Sequence, residues 1–157
     1  NDHAYRLVAY NAEAQHPAVN HVLRLFRRSF DNRFLPFVGR AGLMLSCLEA
    51  MLGRFRKRED PIQLEDMAAV FTAKQAPAAT EWFRAEGRKF RNAVAHGYWE
   101  PQAGAEQPPL EHLLNLLTAL VPAFVQIWLD APDRADSEPE SVFSAAARSA
   151  LDSRKRG

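Results

Sequence analysis

Apolar residues recur at helical spacing in five stretches of this chain, separated by short polar or proline-bearing connectors. Val19, Val22, Leu23, Phe26 and Phe30 predict a first helix over 18–31, with Arg24, Arg27 and Arg28 off its apolar face. From 33 to 57, Phe34, Val38, Ala41, Leu45, Leu48, Leu52 and Phe55 step by four and three, a heptad seam that Met44 and Met51 widen. Asp60 and Pro61 supply a cap and a favoured first position for a short third helix to 73. Its inward residues are Ile62, Leu64, Met67, Ala68 and Phe71. A fourth helix over 78–97 places Phe83, Gly87, Phe90 and Val94 on one narrow arc. The fifth, over 109–131, has its seam in Leu110, Leu113, Leu117, Leu120, Phe124 and Ile127, with Pro122 expected to bend it.

This pattern predicts an all-α fold, an up-and-down bundle of four to five helices over residues 18–131. Residues 1–17 read as a leader or the remnant of an upstream segment. Residues 132–157 begin rich in Pro, Asp, Glu and Ser. They read as an acidic linker and a weakly ordered tail, with a short alanine-rich helix over 141–152.

Composition narrows the function classes. The 157 residues are 47% hydrophobic and 25% charged, an ordinary globular mix with enough length for one core. No uninterrupted apolar run approaches ~20 residues, so no membrane span is expected. Cys47 is the only cysteine, in an apolar helix, which predicts a buried thiol and a reducing, cytoplasmic location. His3, His16 and His21 lack partner acids or cysteines at ligand spacing, so neither metal nor cofactor is expected. Net charge is only +1, but it is unevenly spread. Residues 24–58 hold nine Lys or Arg against two acids, and residues 100–140 hold eight acids against Arg134. The basic half suits an anionic partner such as RNA.

The residues that look like chemistry end the fourth helix. Arg91 is a permanent cation shaped for phosphate, and His96 is able to move a proton near neutral pH. Asn92 lies one turn before His96, near enough to orient it. An arginine, an amide and an imidazole suit cleavage of an RNA phosphodiester. The bland alternative is a helix that simply ends in a polar turn and a glycine, at His96 and Gly97. On an ideal helix Arg91 and His96 are roughly 140° apart, which favours a site assembled from two motif helices in a dimer. Arg84 and Arg88 share the Arg91 arc, and Lys89 lies beside Asn92 and His96, so these three are candidate RNA-binding residues. Glu49, beside the heptad seam, is a candidate to orient Arg91 or His96, and Tyr98 a candidate for stacking or packing.

Arg91-Asn92, three residues, then His96 resembles the arginine–polar–x–x–x–histidine motif of the HEPN family. Phe90 to Gly97, preceded by the apolar helix ending Leu48-Glu49-Ala50-Met51-Leu52, is most similar to the Apea-like branch. The resemblance covers residues 18–131. It implies a metal-independent endoribonuclease without cofactor, a homodimer whose motifs meet at one site, and a toxin or phage-defence context with an antitoxin or regulatory protein partner. In one branch of the family a tyrosine at the offset of Tyr98 is modified to silence the toxin. The family also contains members without catalysis that serve as dimerisation or partner-binding modules, the alternative implied here.

Overall fold

The computed structural model describes residues 16–31, 35–52, 63–97, 107–133 and 136–157. Among them are six helices: α1 Pro17–Asp31, α2 Phe37–Leu52, α3 Leu64–Thr72, α4 Pro77–Ala95, α5 Gln107–Asp130 and α6 Pro139–Arg156. No strand occurs among the described residues, and the fold is an all-α bundle. The expected leader to residue 15, Asp60 and Pro61, and Phe34 and Phe55 of the heptad seam lie outside the described residues.

Two helices organise the rest. α2 and α5 each touch every other described helix. Their sequences explain why, since neither is apolar on one stripe only. In α2 the buried set is Ala41, Met44, Leu45, Cys47, Leu48, Met51 and Leu52, wider than a two-position seam. Val38, expected in that seam, sits in the first turn of α2 and is 43% exposed. In α5 the predicted Leu113, Leu117, Leu120 and Phe124 are buried. They are joined by Leu116, Val121, Val125 and Trp128. Leu110 and Ile127 pack at the edge of the core. Pro122 sits inside α5 without ending it. By length and composition the Pro108–Asp130 stretch is apolar enough to cross a membrane. In this fold its buried residues form the centre of the core.

The tail differs most from expectation. Residues 139–156 form a full helix rather than a weakly ordered segment, and it packs on α2, α3 and α5. Phe143 and Ala147 are fully buried. The Phe143 ring stacks on Phe71 at 4.4 Å and meets Phe124 edge-on at 5.3 Å. Two aromatic contacts outweigh the acidic, serine-rich composition that suggested disorder. This sixth helix is also why the bundle exceeds the four to five expected.

Cys47 is buried in α2, with its Sγ–H directed at the Val22 carbonyl oxygen of α1 at 3.6 Å. Burial pushes the thiol from an ordinary 9.0 up to about 12. The unfolded thiol ionises first as pH rises, so this group lowers stability between its unfolded pKa and about 12. Thiol labelling at pH 8 should therefore proceed only as fast as the protein opens. Labelling at the rate of a free peptide thiol would contradict the burial. Phe143→Ala should cost about 3–5 kcal/mol in urea unfolding, the range for a truncated core phenylalanine. A cost below about 1 kcal/mol would show that α6 is not part of the core.

Candidate functional site

The motif helix α4 starts at Pro77, directly after the turn from α3. That turn is held by a buried hydroxyl pair, with Thr72 Oγ1 and Thr80 Oγ1 2.7 Å apart. The Ala76 N–H also donates to the Thr72 carbonyl oxygen at 2.8 Å. Phe83, Gly87 and Phe90 are buried and Val94 packs against the core, so the predicted arc faces inward. Gly87 is required there, because a Cβ would collide with the Phe83 ring one turn earlier. Trp82 leans on α5, its ring stacked on His112 at 5.1 Å. His112 is half-buried beneath this aromatic contact.

Arg91 turns inward. Its Nη1 donates to Glu49 Oε1 of α2 at 3.0 Å, and its Nη2 donates to Glu65 Oε1 of α3 at 2.6 Å. The Arg91 side chain is 11% exposed and Glu65 is 9% exposed, whereas Glu49 keeps 39%. One guanidinium thus ties three helices through two charge-assisted bonds. Its Nε is buried with no acceptor. Glu49 contacts Arg91, as one of its two expected partners. Glu65 escaped the sequence reading because α3 was judged only by its apolar spacing. The signal available was an acid in the first turn of a short helix between buried apolar positions.

This geometry changes the role open to Arg91. It was expected to face a phosphate, yet two carboxylates against one guanidinium leave no net positive charge there. The arginine acts from behind the helix end, holding it in place. Arg84 is also partly engaged, with its Nε 3.4 Å from Asp66 Oδ1 in an exposed pair. Arg88 and Lys89 are exposed on α4.

Asn92 and His96 point the other way, both exposed. His96 caps the helix at φ −100°, ψ 3°, and its N–H donates to the Asn92 carbonyl oxygen at 3.0 Å. Gly97 follows at φ 70°, the left-handed conformation that glycine adopts without strain. The predicted cap is therefore real, and it is also what presents the imidazole to solvent. Tyr98 lies outside the described residues. Among the described residues no group of three His, Cys, Asp or Glu is placed to hold a metal ion.

Comparison of the chain with family models, with curated proteins and with solved structures returned no match.

The ion cluster sets a stability expectation. Arg91→Ala leaves Glu65 buried opposite no cation and should cost about 3–5 kcal/mol. Replacing both Arg91 and Glu65 by Met should recover most of that loss. Glu49→Gln, on the exposed side, should cost under about 1 kcal/mol. Denaturant melts of the three variants check the ordering, and equal losses for Glu49→Gln and Arg91→Ala would contradict it.

Proposed function

We propose that this chain is a metal-independent endoribonuclease of the HEPN type, acting through His96. One observation carries the reading: Asn92 and His96, one turn apart, are both exposed on a helix end that a buried ion cluster pins from behind. Such pinning is what a proton-moving group needs, because misplacing the reacting atoms by about 1 Å costs on the order of 100-fold in rate. In the proposed reaction the RNA 2′-oxygen attacks the adjacent phosphorus and the 5′-oxygen leaves. His96 takes the proton from the 2′-hydroxyl or returns one to the leaving oxygen. Two copies of the motif in a homodimer would supply one imidazole for each transfer. Asn92 orients His96 or the phosphate. Contacts to the RNA backbone fall to Arg88 and Lys89, with Arg84 sharing its charge with Asp66. Arg91 is a positioning residue in this scheme. A ribonuclease free in the cytoplasm threatens its own cell, which fits a toxin or phage-defence setting with a restraining protein partner.

A second reading has its own support. Both terminal nitrogens of Arg91 are bound to carboxylates, the arrangement of a structural anchor. A non-catalytic dimerisation or partner-binding module would keep the same bundle and use the motif as a polar helix end.

The experiment is incubation of the pure protein with mixed RNA in excess EDTA. Cleavage should persist and leave 2′,3′-cyclic phosphate or 3′-phosphate ends, while a 2′-deoxy nucleotide at the cut resists. His96→Ala should retain the fold and lower the rate by ~100-fold or more. Light scattering should give about twice the 17.7 kDa chain mass. A folded dimer that cleaves no RNA, or a His96→Ala variant as fast as its parent, would leave the non-catalytic reading standing.

A further inference from the structure

α3 and α4 pack as neighbours, joined by the turn that the Thr72–Thr80 hydroxyl pair holds. Along their outer side lies an open cleft of about 800 Å³. Ala73, Pro77 and Ala85 line it with short apolar side chains. Its charged groups are Glu65 and Asp66 from α3 and Glu81, Arg84 and Arg88 from α4. Three of these are engaged: Glu65 with Arg91, and Arg84 with Asp66 at 3.4 Å. Among the described residues no hydrogen bond or ion pair engages Glu81 or Arg88.

Glu81, Arg84, Ala85 and Arg88 share one side of α4, within about 100° of arc. Glu81 and Arg88 are two turns apart, roughly 10 Å along the helix. The cleft therefore offers an acceptor at one end and a cation at the other. A free amino acid is too short to meet both, because its ammonium and carboxylate sit on the same carbon. A nucleotide is long enough, with N–H donors on the base edge and a phosphate beyond the ribose. Glu81 repels phosphate and, when ionised, only accepts hydrogen bonds, so it favours the base. The Arg84 guanidinium, held by Asp66, supplies a plane on which a base can stack, one of the ways single-stranded RNA is bound. Arg88 is left for the phosphate.

We infer that this cleft is a base-reading subsite for single-stranded RNA, selective for guanine through Glu81. Guanine presents N1–H and its N2 amine side by side, and both can donate to one carboxylate. Adenine and cytosine set a ring-nitrogen acceptor beside their single amine, and uracil flanks N3–H with two carbonyl oxygens. Each of these turns an acceptor toward the carboxylate. Arg88 stands eight residues before His96, roughly 12 Å along α4, so the guanine is a neighbour of the cut rather than the nucleotide cleaved. The inference rests on the ribonuclease reading for its ligand class, but Glu81 takes no part in the chemistry at His96.

The test is fluorescence anisotropy of labelled 2′-O-methyl heptanucleotides, uridine throughout except for one central guanosine, adenosine, cytidine or inosine. These strands lack the 2′-hydroxyl and cannot be cut, so binding is read whether or not the chain cleaves RNA. The guanosine strand should bind about tenfold tighter than the adenosine, cytidine and all-uridine strands, the effect of a hydrogen bond to a charged group. Inosine, without the N2 amine, should lose most of that difference. Glu81→Ala should erase the preference and leave the all-uridine strand bound at least as tightly, since it removes a charge that repels phosphate. Position 81 is exposed, so circular dichroism should report unchanged helicity. Equal binding of all strands, no binding of any, or a guanine preference that survives Glu81→Ala would overturn the inference. A peptide of alternating lysine and glutamate that binds through Glu81 and Arg88 while no strand does would reassign the cleft to a protein partner. Guanine-selective binding by a chain that cleaves no ordinary RNA would keep the subsite and remove the ribonuclease reading instead.

Discussion

The contact on which the motif end depends is the pair of bonds from Arg91 to Glu49 and Glu65. α2, α3 and α4 are neighbours for apolar reasons, through Leu48, Met67 and Phe90 in the shared core. Hydrophobic burial is non-directional, however, and leaves rotation and sliding of one helix on another lightly restrained. A guanidinium with two carboxylates is directional. Its fork fixes the azimuth of α4 against two other helices at once. Whatever His96 and Asn92 do at the end of α4, they do it at a position set by that fork.

The same contact carries an electrostatic consequence. A phosphate approaching the end of α4 meets the negative end of a helix, and the nearest arginine is already shared between two carboxylates. Attraction must come from side chains that keep their charge toward solvent. Arg88 and Lys89 meet that condition on α4. Arg84 meets it in part, because its exposed pairing with Asp66 is weak and solvent-screened. Positioning and attraction are thereby divided between two sets of basic residues, the buried one serving geometry and the exposed ones serving charge.

Much of this was legible in the sequence because periodicity reports burial directly. The Phe83, Gly87 and Phe90 arc emerged as written, and the helical class followed from spacing alone. Three features did not emerge, each for a physical reason. Periodicity cannot tell where a stripe ceases to be covered, so Val38 and Phe30 looked like core. Composition weighs a segment by its average, so a tail anchored through Phe143 looked disordered. Partner choice between ionised side chains is a tertiary matter. The sequence pointed to Glu49, beside a recognisable seam, while Glu65 sat unmarked in a short helix.

His96 shows how closely the plain and the functional readings are joined. Its backbone lies at φ −100°, ψ 3°, outside the helical basin, in the sparsely populated bridge region where catalytic residues are often found. Gly97, at φ 70°, then turns the chain away in a conformation that a larger residue would resist. A cap of this kind needs a residue that tolerates the bridge region and a glycine after it. It does not need an imidazole, because the capping bond to Asn92 comes from the backbone N–H. The cap therefore sets the shape of the helix end through backbone groups, without using the imidazole. Asn92 is in the same position, because its backbone carbonyl serves the cap while its exposed amide does not. The side chains that capping leaves unexplained are the two that the proposed chemistry uses.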